Sequence, residues 1–188
     1  MSRSDVTGLS GGDIIPQTIL TNDPSITAWG WAVLTPNGQV LATGCIKTKP
    51  QAKKRRIRKG DDIVRRISEI NQTLLQVIKK YNVVHILTEL PHGSQNANAA
   101  VMIGLVTGIV QTISDCLGIG VEWYSEGDAK QCALGKGSCV KQEMIDAMKE
   151  LYSVQWDYIK YKDEAVADAL AIHYIASKES NVLKFLKQ

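Results

Sequence analysis

Val83–Leu90 reads VVHILTEL, a nearly continuous apolar run that turns polar only near its end. A strand of that composition is buried on both faces, so it belongs inside a parallel sheet with helices on either side. Its neighbours agree. Ile63, Ile67, Ile70, Leu74, Val77 and Ile78 recur at helical spacing, from the acidic start Asp61-Asp62 to about Lys80. Asn96–Leu117 also has a helical pattern and is rich in small residues, which suits close packing. Gly120–Tyr124 is a further predicted strand. Helices are predicted after it over about Ser138–Tyr152 and Glu164–Ser177.

Upstream the pattern changes. Gln17–Asp23 is a short apolar run that stops at Asp-Pro, Gly30–Leu34 follows, and Pro36-Asn37-Gly38 is a strong turn signal before Gln39–Ile46. Three strands on short links make an antiparallel meander. The order β-β-β-α-β-α-β-α-α describes an α/β domain. Its five-stranded mixed sheet runs from three antiparallel strands into parallel ones, with helices on both faces. The 188 residues suit one domain, expected over residues 17–188, behind a polar, glycine-bearing N-terminal tail of residues 1–16 expected to be flexible. That tail lacks the apolar centre of a secretion signal, and no apolar run approaches the roughly 18 residues of a membrane span. A cytoplasmic location and no membrane partner are expected. Cys45, Cys116, Cys132 and Cys139 form no Cys-x-x-Cys pair and have no histidine at zinc spacing, so they read as free thiols.

The net charge of +3 hides a strong asymmetry. Lys47, Lys49, Lys53, Lys54, Arg55, Arg56, Arg58 and Lys59 lie in one stretch without an acid, leaving 14 bases against 19 acids elsewhere. An acidic body with one dense basic segment suits a polyanionic partner, whose affinity would come from counterion release. A solvated loop or a targeting tag reads equally well from charge alone.

Four acids stand apart from the solvated helix faces. Asp23 ends the first strand and Glu89 the fourth. Glu164 and Asp168 lie four apart in KDEAVADALAIHY, on one helix face, where like charges repel unless a cation compensates. The strand order makes the first and fourth strands parallel neighbours, so Asp23 and Glu89 meet at their carboxyl ends. The last helix can bring Glu164 and Asp168 over that edge. Three or four carboxylates around one point are hard oxygen ligands for Mg²⁺ or Mn²⁺. They can hold two ions roughly 4 Å apart for in-line phosphodiester hydrolysis. Simpler readings exist for each: a turn acid at Asp23, a solvated strand end at Glu89, a dipole-favoured acid at Glu164. Asp168 fits none of these, since it sits within an apolar helix.

Four segments together resemble the RuvC-type Holliday junction resolvases. TNDPSITAWGWAVL is similar to their first strand and hairpin, and HILTELPHG to the strand carrying their catalytic glutamate. DAKQCALGKGSCVKQEM is similar to their lysine-bearing loop, and DEAVADALAIHY to their terminal acidic helix. The likeness spans about Gln17–Ser177, and it is the order and spacing of the four motifs that make it specific. It implies an RNase H-like fold and a homodimer that resolves four-way DNA junctions by paired nicks, using Mg²⁺ or Mn²⁺. Asp23, Glu89 and Asp168 fall on the family's catalytic carboxylates. Lys130 and Lys141 fall on its two lysines, implying phosphate contact or charge stabilisation at the scissile bond.

Three departures matter. Some members carry a carboxylate three residues before the last one, and that position here is Ala165. The resemblance makes Glu164, four before, the better replacement, because members with that spacing also occur; Asp163 would sit well off that face. Some bacterial members place a phenylalanine wedge three residues after the glutamate, where this chain has His92, so any wedge against the junction DNA is expected at His92 or a neighbour. The basic segment is heavier than in bacterial members and fits divergent viral or phage-like ones. Its Lys53, Lys54, Arg55, Arg56 and Arg58 are expected to grip a junction arm. Ser94, Gln95 and Asn96 open a helix beside Glu89, where they are expected either to seat a phosphate or simply to cap the helix. His85 reads as a core histidine, and His173, five past Asp168, points away from that carboxylate.

Alternatives remain. Another RNase H-like nuclease, acting on flaps or structured RNA, would use the same carboxylates. A catalytically silent junction-binding protein would not need the full set. An actin-like or sugar-kinase ATPase needs a glycine-rich phosphate hairpin where this chain has Pro24 and bulky Trp29, so no nucleotide cofactor is expected.

Overall fold

The computed structural model describes residues 16–51 and 57–188. Apart from Pro16, the predicted tail lies outside them, as do Lys53, Lys54, Arg55 and Arg56. The three antiparallel strands are β1 (Thr18–Asp23), β2 (Ala28–Leu34) and β3 (Val40–Lys47). Helix α1 (Lys59–Tyr81) crosses over to β4 (Val83–Leu90), and α2 (Ala97–Leu117) to β5 (Gly120–Ser125). Four helices follow: α3 (Glu126–Leu134), α4 (Lys141–Leu151), α5 (Lys160–Glu179) and α6 (Asn181–Leu186). The sheet order is β3-β2-β1-β4-β5, antiparallel across the first three and parallel from β1 through β4 to β5. This is the predicted mixed five-stranded sheet.

Side-chain alternation divides the core between the two faces. Leu20, Trp29, Val33 and Ile86 pack with Ile70 and Leu74 of α1 and with Val106, Ile109 and Val110 of α2. Ile19, Ala32, Leu34 and Leu87 pack with α3, α4 and α5. Helix α2 departs from expectation. By length and composition it is apolar enough to cross a membrane, with a mean hydropathy of 1.7 over its most apolar window. Glycine and alanine among its larger apolar residues disguise that run in the sequence.

Helix α5 is buried almost throughout from Ala165 to Ala176, and two contacts set its distance from the sheet. The buried Thr21 hydroxyl donates to the Ala169 carbonyl at 2.6 Å. Gly30 meets the helix backbone itself: a Cβ added there would fall 1.9 Å from the Ala165 oxygen. Only a residue without a side chain fits beneath that turn.

Helix α3 is absent from the sequence expectation, and α5 starts at Lys160 rather than Glu164. Gly127 interrupts α3 in its first turn, and the helix lacks an apolar stripe. Its start is capped by Ser125 Oγ, which accepts the Asp128 amide at 3.0 Å. Helix α4 begins at Lys141 rather than Ser138, where the Glu143 carboxylate reaches back to accept the Val140 amide at 3.0 Å.

Candidate active site

Parallel pairing of β1 with β4 sets Asn22 beside Thr88, so Asp23 and Glu89 follow as neighbours at the carboxyl ends. Alternation turns both toward the face covered by α5, which contributes Asp168, only 9% exposed. These three carboxylates feel one another. Burial, then the Asp168 charge, push Asp23 up to about 7, while Lys141 pulls it down and Glu126 adds to the rise. Burial, then Asp23 and Asp168, push Glu89 up to about 9. Asp168 is raised as well, by burial against the pull of Lys141. Lys141, at the first turn of α4, is ion-paired with Asp168. Burial disfavours its charge, but Asp168, Asp23 and Glu126 together outweigh that and raise it.

Glu126 is a fourth acid that the sequence reading missed. It follows β5 directly, at the start of α3, and acts on Asp23, Glu89 and Asp168. Its hydrogen bond from Lys130 holds its own carboxyl below the usual range. Lys130, expected on phosphate, is therefore engaged by Glu126. His92 is exposed, with Nε2 3.6 Å from Glu126.

Glu164 is placed differently. It lies one turn before Asp168, half-buried, and lines a cleft with Lys141 and Lys160. It is not among the charges acting on Asp23, Glu89 or Asp168. Ala165 is buried, with its carbonyl against Gly30, so that position serves packing in this chain. Asp163 is buried too, and its Oδ1 accepts the Asp157 amide at 3.1 Å.

The remaining expected DNA contacts divide. Asn96 caps α2, its Oδ1 accepting the Asn98 and Ala99 amides, and Ser94 Oγ accepts the Asn96 amide. Gln95 is exposed beside them. Arg58 forms a two-pronged pair with Asp61, and Lys59 donates to Asn98 Oδ1 at 2.7 Å. That last bond ties the end of the basic segment to the helix start beside Glu89. His85 is a core residue bonded to Glu122 at 3.0 Å. His173 is buried against the Tyr152 hydroxyl at 2.7 Å.

The acids are hard oxygen donors throughout, and as anions they destabilise one another. Among the described residues no three His, Cys, Asp or Glu groups already stand at ion-holding distance, and Lys141 holds Asp168 instead. The donor chemistry fits Mg²⁺ or Mn²⁺, whose charge would relieve that repulsion.

A family model described as crossover junction endodeoxyribonuclease RuvC matches residues 19–175. Proteins of that name from many bacteria are similar, two of them as follows. The one from Shewanella frigidimarina is 26% identical over 136 residues, 71% of this chain and 73% of that protein. The one from Orientia tsutsugamushi is 25% identical over 162 residues, 85% and 94%. Among solved structures, T. thermophilus RuvC in complex with a Holliday junction substrate superposes with a TM-score of 0.65 at 20% identity, covering 86% of this chain and 95% of its own.

Proposed function

The chain belongs to the RuvC family of crossover junction endodeoxyribonucleases, and from that premise we propose that it resolves four-way DNA junctions by paired, metal-dependent phosphodiester hydrolysis. One observation carries the proposal. Asp23 and Glu89 end neighbouring parallel strands, and Asp168 completes the group from α5, with Lys141 bound to it.

Asp23, Glu89 and Asp168 would hold Mg²⁺ or Mn²⁺, with Glu126 or Glu164 as a fourth acid. When bound, the ions supply Lewis-acid activation of the attacking water and charge neutralisation at the departing 3′ oxygen. Hydrolysis joins the water oxygen to phosphorus and breaks the bond to the 3′ oxygen, leaving a 5′ phosphate and a 3′ hydroxyl. The chain's own part is placement. The sheet fixes Asp23 and Glu89 relative to each other. Thr21 and Gly30 fix α5, and through it Asp168. Lys141 pulls the Asp168 carboxyl down against the rise that burial imposes, and offers positive charge beside the reacting phosphate.

Paired nicks require two sites, hence a homodimer. Helix α2 supports it: the helix is strongly apolar but only about a quarter buried within the chain. Its Gly104, Leu105, Gly108 and Thr112 line an apolar groove of about 450 Å³ with Ile67 and Leu75 of α1. Leu105→Glu should give monomers by light scattering, and an unchanged dimer would move the interface elsewhere.

The deciding experiment is cleavage of a synthetic mobile four-way junction in Mg²⁺, with nicks mapped on all four strands. Flap, duplex and RNA–DNA hybrid substrates run in parallel. Symmetric nicks on the junction are expected. Preferential cutting of flaps or hybrids would favour the other RNase H-like activities, and binding without cutting a silent junction binder.

A further inference from the structure

Residues 152–159 join α4 to α5. Within that connection Tyr158 has φ 58, left-handed backbone that a residue with a Cβ rarely adopts. The residue is 86% exposed. A large ring held out in solvent on strained backbone gains little from packing, and such strain collects at ligand sites. Asn82, also at positive φ, ends α1, where left-handed backbone is an ordinary helix stop.

Tyr158 stands at a cleft of about 830 Å³ that it lines with Lys141, Lys149, Lys160, Asp163 and Glu164. Lys141 is also the partner of Asp168, so the cleft opens beside the carboxylate centre. Lys149 Nζ lies 5.7 Å from the Trp156 ring centre and 5.9 Å from that of Tyr158, a cation set between two π faces. Three lysines face two acids, and Asp163 is already committed to the Asp157 amide. The cleft therefore offers an aromatic face and a surplus of positive charge next to the carboxylate centre.

We infer that this cleft seats the nucleotide flanking the scissile phosphate, with its base stacked on Tyr158 and its phosphate against Lys149 and Lys160. The inference rests on the nuclease reading above. Every base has a π face, so stacking of this kind grips a strand without demanding a sequence. A base within intact duplex is already stacked on its neighbours, whereas one at a branch point is free to leave them. Tyr158 is in this way a positioning residue that favours branched over linear DNA.

The test compares intact junctions with junctions carrying one abasic residue at each position flanking the mapped nick. Wild-type protein should lose about ten-fold in kcat/KM at one of those positions. Tyr158→Ala should cut the intact junction about ten-fold more slowly and lose nothing further on the abasic one. Tyr158→Phe should behave as wild type. Tyr158→Gly keeps the left-handed backbone without strain, so a loss equal to that of Tyr158→Ala assigns the effect to the ring. Wild-type rates in Tyr158→Ala, or an abasic penalty that persists in it, overturn the inference. So does wild-type protein that cuts junctions but ignores every abasic position, and that outcome leaves the nuclease reading standing. Wild-type protein that cuts no junction sinks both.

Discussion

Gly30→Ala should disable the enzyme through a single methyl group. The added Cβ would fall 1.9 Å from the Ala165 oxygen and 2.4 Å from its carbonyl carbon, where ordinary contact begins at 3.4 Å. Both obstacles are backbone, so no side chain can rotate away. Helix α5 must retreat by about 1.5 Å or the β2 backbone must buckle by as much, because packed interiors hold no slack. Overpacking of this kind costs about 1–3 kcal/mol, a fall of roughly 2–12 °C in Tm for a domain of this size. Function should suffer more than stability. Asp168 lies one turn beyond Ala165 on the same helix, and a misplacement of about 1 Å in a reacting group costs on the order of 100-fold in rate. The assay is junction cleavage in Mg²⁺ beside gel-shift binding and a melt. Cleavage should drop about 100-fold, with binding nearly unchanged. Gly60→Ala is the control: nothing lies within 4 Å of its Cβ, and it sits in the first turn of α1. Gly30→Ala protein with wild-type cleavage and Tm would refute the idea that this contact sets the height of α5.

The carboxylates make a prediction about pH. Asp23 and Glu89 rise from 3.8 and 4.5 to about 7 and about 9 on folding, so the folded chain keeps protons that the unfolded chain releases. In chelator, Tm should therefore fall as pH rises from about 4 toward 9, and Mg²⁺ should recover the loss; Glu89→Gln should flatten the slope, and a flat wild-type profile would contradict the assignment. Asp23→Asn, Glu89→Gln and Asp168→Asn should each abolish cleavage while junction binding holds or tightens, as gel shifts would show. His173 works in the opposite sense: burial lowers it from 6.5 to about 4, so the unfolded chain takes its proton first and about 3 kcal/mol is lost as pH falls from 6.5 to 4. Melts of wild type and His173→Gln over that range would separate the two effects. Neutralising Lys53, Lys54, Arg55 and Arg56 together should weaken binding to every DNA shape and lower the log–log salt slope by about one for each phosphate no longer neutralised; an unchanged slope would make the segment a bystander.

What could be read from the sequence depended on range. Pattern and strand order suffice to expect Asp23 beside Glu89, because each acid ends an apolar strand and sites of α/β sheets gather at the strands' carboxyl ends. The buried Asp168 was legible as an acid where helical periodicity demands an apolar residue. Glu126 was not. It opens a helix with Gly127 in its first turn and no apolar stripe, and without that helix the Glu126–Lys130 pair at four-residue spacing goes unseen. Lys130 then looks free for DNA when Glu126 already holds it. Asn96 offered both a phosphate seat and a cap, and local geometry chose the cap. Tyr158 gave no signal at all, since left-handed backbone at a tyrosine is imposed by its surroundings rather than by its own preference.

The placement of Asp168 on α5 also bears on how such a chain is made. Translation runs N-terminus first, at about 5–20 residues per second. Asp23, Glu89 and Glu126 come from the sheet and its edge, so they emerge with or just after the five strands. Lys141 and Asp168 arrive later, on helices that follow every strand, after a delay on the order of seconds. During that interval the nascent chain carries three of the acids but not the helix that covers them. A chain interrupted before α5 lacks Asp168, so on the proposed reading of the site an unfinished copy is unarmed.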